Sequence, residues 1–104
     1  MIIAMTAFTL PKPITPEEAR SIFLSTAPKY QGVPGLVRKH YLLSQDGASV
    51  GGVYLWNSRL EAEAMYTAAW RAFVRQKYST DAVVTYFESP VTVDNLTQQI
   101  LADE

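Results

Sequence analysis

This chain's sequence predicts an α+β fold with the element order β-α-β-β-α-β, and three observations carry that prediction. The first is a hairpin signal in mid-chain. The runs LVRKHYLLS (36–44) and GGVYLW (51–56) are rich in β-formers and flank the turn Gln45-Asp46-Gly47. Asp-Gly between two such runs is a strong short-range hairpin cue. The second is a helical periodicity on each side of that hairpin, each opened by capping residues. The third is a strand-like apolar run near each end of the chain, at 2–10 and 82–89.

The elements follow in order. IIAMTAFTL (2–10) alternates loosely and is rich in Ile, Thr and Phe, as strands are. Pro11 and Pro13 end it, because proline donates nothing to a ladder. Thr15-Pro16-Glu17-Glu18 then starts a helix: Thr15 caps, Pro16 suits the first helical position and Glu18 completes a capping box. Ala19, Ile22, Phe23, Thr26, Ala27 and Tyr30 recur at helical spacing as one buried stripe, and Pro28 kinks or ends the helix near Ala27. QGVPG (31–35) is a loop before the hairpin strands at about 36–44 and 49–57. Ser58-Arg59-Leu60-Glu61 forms a second capping box, and the periodicity continues through Tyr66, Trp70, Phe73 and Val74 to about Tyr78. Thr67, which competes for backbone hydrogen bonds, is the place where this stretch would split into two helices. AVVTYFES (82–89) is the last strand, stopped by Pro90. The tail VTVDNLTQQILADE starts extended, and Asp94 or Asn95 is expected to cap a short terminal helix containing Leu96, Ile100 and Leu101. This order is the ferredoxin-like split βαβ arrangement, with an antiparallel sheet and both helical segments on one face.

Composition narrows the classes of function. A length of 104 residues corresponds to one domain, 1–104, with no linker, repeat or low-complexity segment. With 48% apolar and 18% charged residues, the chain buries a core. The formal charge is −1 and the nine Lys and Arg residues form no cluster, which argues against nucleic acid or an anionic membrane as partner. Cysteine is absent, and one histidine cannot build a multi-histidine metal site, so no metal is expected. No nucleotide-binding loop is visible, and no flavin, haem or other cofactor is expected. The N-terminal run lacks a basic n-region and no apolar stretch reaches the roughly 18 residues of a membrane span, so the expected location is cytoplasmic.

Strand alternation sorts the hairpin residues. If Leu43 faces Val50, Tyr41 faces Gly52 and Lys39 faces Tyr54, one face holds Val37, Lys39, Tyr41, Leu43, Val50, Gly52, Tyr54 and Trp56. The other holds Leu36, Arg38, His40, Leu42, Gly51, Val53 and Leu55. Both sets are apolar, so helices on one side leave the second face needing a cover, and a second copy of the chain is the simplest one. His40 is the only side chain whose ordinary pKa suits proton transfer near neutrality, which makes it the candidate acid or base. A hydrogen-bonded structural histidine is its other possible role. Arg38 is the candidate partner for an anionic oxygen, or else half of an interface ion pair, and the hydroxyls of Tyr54 and Tyr86 complete the candidate catalytic set. Trp56, Tyr66 and Trp70 are candidate walls for a planar substrate, or ordinary core. Gly52 beside two tyrosines leaves a gap for a ligand or for close packing. Alternation sets His40 and Tyr54 on opposite faces, which argues against a single pocket for both.

PGLVRKHYLLSQDGASVGGVYLW (34–56), AEAMYTAAWR (62–71) and VTYFESPVTVDN (84–95) together resemble the YdhR-type monooxygenase family, over about residues 1 to 95. That family belongs to the dimeric α/β-barrel superfamily, alongside the antibiotic-biosynthesis monooxygenases. The resemblance implies a homodimer whose sheets pack into a barrel, with a pocket between sheet and helices in each subunit. It also implies oxygenation of a small aromatic or polycyclic substrate without metal, flavin or haem. It carries no catalytic set with it, so the candidate residues rest on their own chemistry. A non-catalytic small-molecule-binding or stress-related dimer is the alternative, and isomerase or cyclase chemistry is a third function the same scaffold supports.

Overall fold

The computed structural model describes residues 1–103. The elements are β1 (Ile2–Thr9), α1 (Pro16–Thr26), a 3-10 turn (Ala27–Tyr30), β2 (Leu36–Leu43), β3 (Ser49–Trp56), α2 (Arg59–Met65), α3 (Ala68–Tyr78) and β4 (Val83–Glu88), then a C-terminal hairpin of β5 (Val91–Asp94) and β6 (Gln99–Ala102). The main sheet is four-stranded and antiparallel, in the order β2-β3-β1-β4. The order β-α-β-β-α-β is therefore as expected, with the second helical segment divided in two.

Local chemistry explains the helix starts. Thr15 and Glu18 form the reciprocal capping box: Thr15 Oγ1 accepts from the Glu18 amide at 3.2 Å and Glu18 Oε1 accepts from the Thr15 amide at 3.1 Å. Ser58 caps α2, accepting from the Glu61 amide, but its own hydroxyl donates to Glu61 Oε1 at 2.9 Å, so only half of the second box forms. Thr67 divides α2 from α3 and caps α3 by accepting from the Trp70 amide. Pro28 ends α1 and tightens the chain into the 3-10 turn.

The hairpin register matches expectation at Lys39↔Tyr54, Tyr41↔Gly52 and Leu43↔Val50. Below it, a bulge intervenes: Leu36 pairs with Trp56 and Arg38 with Leu55, leaving Val37 over. That extra residue reverses the expected facing of the strand's first turn. Leu36 packs on the core while Val37 is 45% exposed. The second correction lies at the C-terminus. Among the described residues no terminal helix forms. Val91-Thr92-Val93, all β-branched, extend as β5, and Asp94 Oδ1 accepts from the amides of Leu96 (3.0 Å) and Thr97 (3.4 Å) to cap a turn that leads into β6.

The core lies between the sheet's inner face and the helices. Ala4, Tyr54 and Trp56 from the sheet meet Tyr30, Ala62, Tyr66, Trp70 and Val74 from the helical layer. The outer face carries Ile3, Met5, Leu42, Val53, Leu55 and Phe87 with no helix over it, and Met5 and Phe87 are 40% and 50% exposed. Among the described residues, no helix is long and apolar enough to cross a membrane.

Candidate active site

The inner face is built on aromatic side chains that β3 and the helices turn toward each other. Tyr54 and Trp56 lie two apart on β3, stacked with their rings 6.3 Å apart. Tyr66, at the end of α2, stands edge-on to Tyr54 (5.3 Å), Trp56 (6.0 Å), Trp70 (4.9 Å) and Tyr86 (6.1 Å). Buried polar tips are paired: Trp56 Nε1 donates to Tyr66 Oη and Trp70 Nε1 to Tyr30 Oη, each at 3.1 Å. Burial pushes the hydroxyls of Tyr54 and Tyr66 far above the ordinary phenol range and raises that of Tyr86 as well. The guanidinium of Arg59 sits 4.0 Å over the Tyr86 ring.

A lysine enters this layer from the sheet. Lys39 is on the inner face of β2, opposite Tyr54, and its stem crosses the space above Gly52. A Cβ at position 52 would lie 3.2 Å from Lys39 Cε and 3.1 Å from Tyr54 Cε1, close enough to press on both, so glycine leaves this space to the lysine stem. Its ammonium nitrogen stands 3.5 Å from the ring centre of Tyr30, 3.8 Å from Tyr41 and 4.7 Å from Tyr54. None of the ion pairs among the described residues involves it. Burial, with a smaller contribution from the charge of Lys29, lowers its pKa from 10.5 to about 7.

Tyr30, Lys39 and Tyr41 form a partition between two spaces. Inward lies a cavity of about 20 Å³, walled by Phe8, Thr26, Trp70, Phe73 and Tyr78 among others. That is room for a molecule the size of water. Outward lies an open groove of about 280 Å³ bounded by Ala27, Gln31, Gly32, Leu36, Val37 and Arg38. Tyr41 is held in the partition by its stacking on Phe23 at 4.7 Å and by the hydrogen bond between its hydroxyl and Thr26 Oγ1 at 2.7 Å.

The sequence-derived candidates divide between the two faces of the sheet. Tyr54, Trp56, Tyr66, Trp70 and Tyr86 share the inner side with Gly52. His40 is on the outer face, in a separate groove of about 350 Å³ with Ile3, Val53, Leu55 and β5 residues Val91 and Val93, and Arg38 borders both this groove and the 280 Å³ one. His40 therefore does not join the tyrosines in one pocket, and the sheet itself lies between them. The gap expected at Gly52 is occupied by the lysine stem. Lys39, Tyr30 and Tyr41 were not singled out in the sequence. The available signal was a lone lysine in the inner set of an otherwise aromatic and aliphatic strand pair, directly across from Tyr54. Among the described residues, no three His, Cys, Asp or Glu side chains gather as metal ligands.

The sequence matches no protein-family model and no curated protein. Solved structures are similar. SnoaB, a cofactor-independent oxygenase from Streptomyces nogalater, shares 20% identity with a TM-score of 0.63, covering 88% of this chain and 95% of its own. A monooxygenase from ActVA-Orf6 of Streptomyces coelicolor, in complex with nanaomycin D, shares 18% identity with a TM-score of 0.65, covering 85% of this chain and 86% of its own. An antibiotic biosynthesis monooxygenase shares 13% identity with a TM-score of 0.62, covering 86% of this chain and 98% of its own. At these identities the likeness is one of fold, an α+β ferredoxin-like arrangement that this chain shares with those structures.

Proposed function

We propose that this chain is a cofactor-independent monooxygenase of the YdhR type, acting as a homodimer on a small aromatic or polycyclic substrate. The observation that carries the reading is the 280 Å³ groove itself, bounded by Tyr30, Tyr41, Leu36 and Val37 with the cationic residues Lys39 and Arg38 on its wall. A planar ring entering the groove gains roughly 0.5–1.5 kcal/mol for each well-placed aromatic contact beyond its burial. The fold shared with a cofactor-independent oxygenase supports the same reading. In the reaction, an activated CH₂ of an electron-rich ring loses a proton and the carbanion reduces dioxygen directly. The CH₂ and O₂ become C=O and water, so no further reductant is required. The protein's part is to orient the ring, stabilise the anion and keep bulk water out.

In this reading Trp56, Tyr66 and Trp70 act as the rigid backing of the site. His40 and Arg38 face the partner subunit across the outer groove. The test is oxygen uptake with anthrone-like and quinol substrates, using protein treated with chelator. One O₂ consumed per product formed is the expected result. Substrate binding without uptake across a broad panel would reject the oxygenase and leave a small-molecule-binding protein.

A further inference from the structure

We propose that Lys39 Nζ is the base of this groove, taking the proton of a phenolic or similarly acidic enolic hydroxyl on a flat ring and then holding the resulting anion as its ammonium partner. The inference rests on the reading that the groove admits a flat aromatic, but not on the oxygen chemistry. Three features of the site support it.

The first is access. Lys39 lines both the outer groove and the inner cavity, so a ring held in the groove beside Tyr30 and Tyr41 has the lysine in its wall. The second is the absence of a counter-ion. No carboxylate among the described residues pairs with the amine, so nothing holds it permanently protonated or competes for its proton. The third is that the surroundings tolerate both charge states. Neutral, the amine lies among hydrocarbon and rings. Protonated, it lies 3.5 Å and 3.8 Å from the faces of Tyr30 and Tyr41, whose quadrupoles attract a cation. A base needs both states within reach near neutral pH, and burial lowers the amine's pKa to about 7.

The titratable groups that face it are few. Lys29 and Tyr30 come from the 3-10 turn, Tyr41 from β2 itself, Tyr54 from β3, and Tyr78 of α3 lines the same cavity. Burial raises the pKa of Tyr41, Tyr54 and Tyr78, so these three stay neutral across the working range. Lys29 is the one fixed charge acting on the amine, and it favours the neutral base. In the step itself the hydroxyl O–H bond breaks, an N–H bond forms on Nζ, and the electron pair stays on the substrate oxygen.

The test uses 4-nitrophenol under nitrogen, whose phenolate and phenol forms absorb at different wavelengths, with wild type, Lys39→Met and Lys39→Arg. Wild type should hold the probe as phenolate, with the bound probe titrating at least one pH unit below the free one, a shift of about tenfold in ionisation. Lys39→Met should bind the neutral phenol and titrate above it. Lys39→Arg keeps a cation that cannot act as a base, so it should bind phenolate yet remain about 10² to 10⁴-fold slow wherever wild type turns a substrate over. Circular dichroism confirms that each variant is folded. Identical titration of the bound probe in wild type and Lys39→Met would overturn the inference, as would failure of wild type to bind the probe, or full turnover by Lys39→Arg. If wild type ionises the probe but takes up no oxygen with any substrate, the base stands and the oxygenase falls. If wild type oxygenates and Lys39→Met is equally fast, the oxygenase stands and the base falls.

Discussion

Lys39 links the charge of one amine to the stability of the fold. Its pKa is 10.5 in the unfolded chain and about 7 in the folded one. Between those values the unfolded state binds the extra proton, so unfolding stability attributable to this residue rises with pH from about 7 toward 10.5. Below pH 7 both states are protonated and the folded state bears the full cost of the buried ammonium. Urea midpoints of wild type relative to Lys39→Met should therefore climb across that window, and a flat difference would show that the amine is well solvated. A second residue tests the aromatic layer. Tyr66→Phe strips the acceptor from a buried Trp56 N–H and should cost about 1–3 kcal/mol in urea unfolding, with little change in strand content. At this scale the sequence was only partly legible. His40 stands out by its ordinary pKa, an intrinsic property. Lys39 is made interesting by its surroundings: the missing side chain of Gly52, the tyrosine faces and the absence of an acid. Those surroundings come from three separate elements, and only the pairing with Tyr54 and Gly52 is visible from strand alternation.

At the scale of elements, boundaries followed local chemistry wherever a cap or a proline set them, as at Thr15, Pro28, Thr67 and Pro90. The two departures share a cause. The bulge at Val37 and the turn after Asp94 are each decided by one residue's geometry, against a pattern that fits two outcomes. Asp94 is as good a cap for a turn as for a helix, and the β-branched residues preceding it tip the balance toward a hairpin. That hairpin is tied to the body by the Met1 ammonium pairing with Asp103 at 2.5 Å and by the Asp103 amide donating to the Pro90 carbonyl at 2.9 Å. Its apolar side chains are mostly free: Val93, Leu96 and Ile100 are 64%, 91% and 76% exposed. Removing residues 91–104 should leave the four-stranded sheet folded by circular dichroism and weaken self-association. A truncated protein that associates as tightly as the full chain would assign the hairpin some other role.

The whole molecule has one sheet face covered by helices and one left open. The element order, the antiparallel pairing and the gathering of the helices on one face were legible, because they follow from periodicity and from short connections; the order of strands within the sheet was not. What covers the open face is not written in one chain, whose sequence constrains it only through its apolar excess. A homodimer should appear in sedimentation as twice the 11.6 kDa chain mass, with an interface above roughly 2,000 Å². Phe87→Asp, placing a charge at a half-exposed site on that face, should yield a folded monomer. A wild type that sediments as a stable monomer at micromolar concentration would reject the dimer outright.

The position of β2 at the margin of the sheet has a further consequence, for solubility. A bare strand edge is a template on which another chain can add itself, and charges pointing to either side of the strand discourage such growth. Along β2, Arg38 is directed outward and Lys39 inward, so consecutive cations guard both sides of the same margin. Lys39→Met removes the inward guard and leaves a more uniformly greasy strand, whereas Lys39→Arg retains it. The methionine variant should therefore precipitate sooner on concentration and heating, and arginine should restore solubility whatever it does to proton transfer.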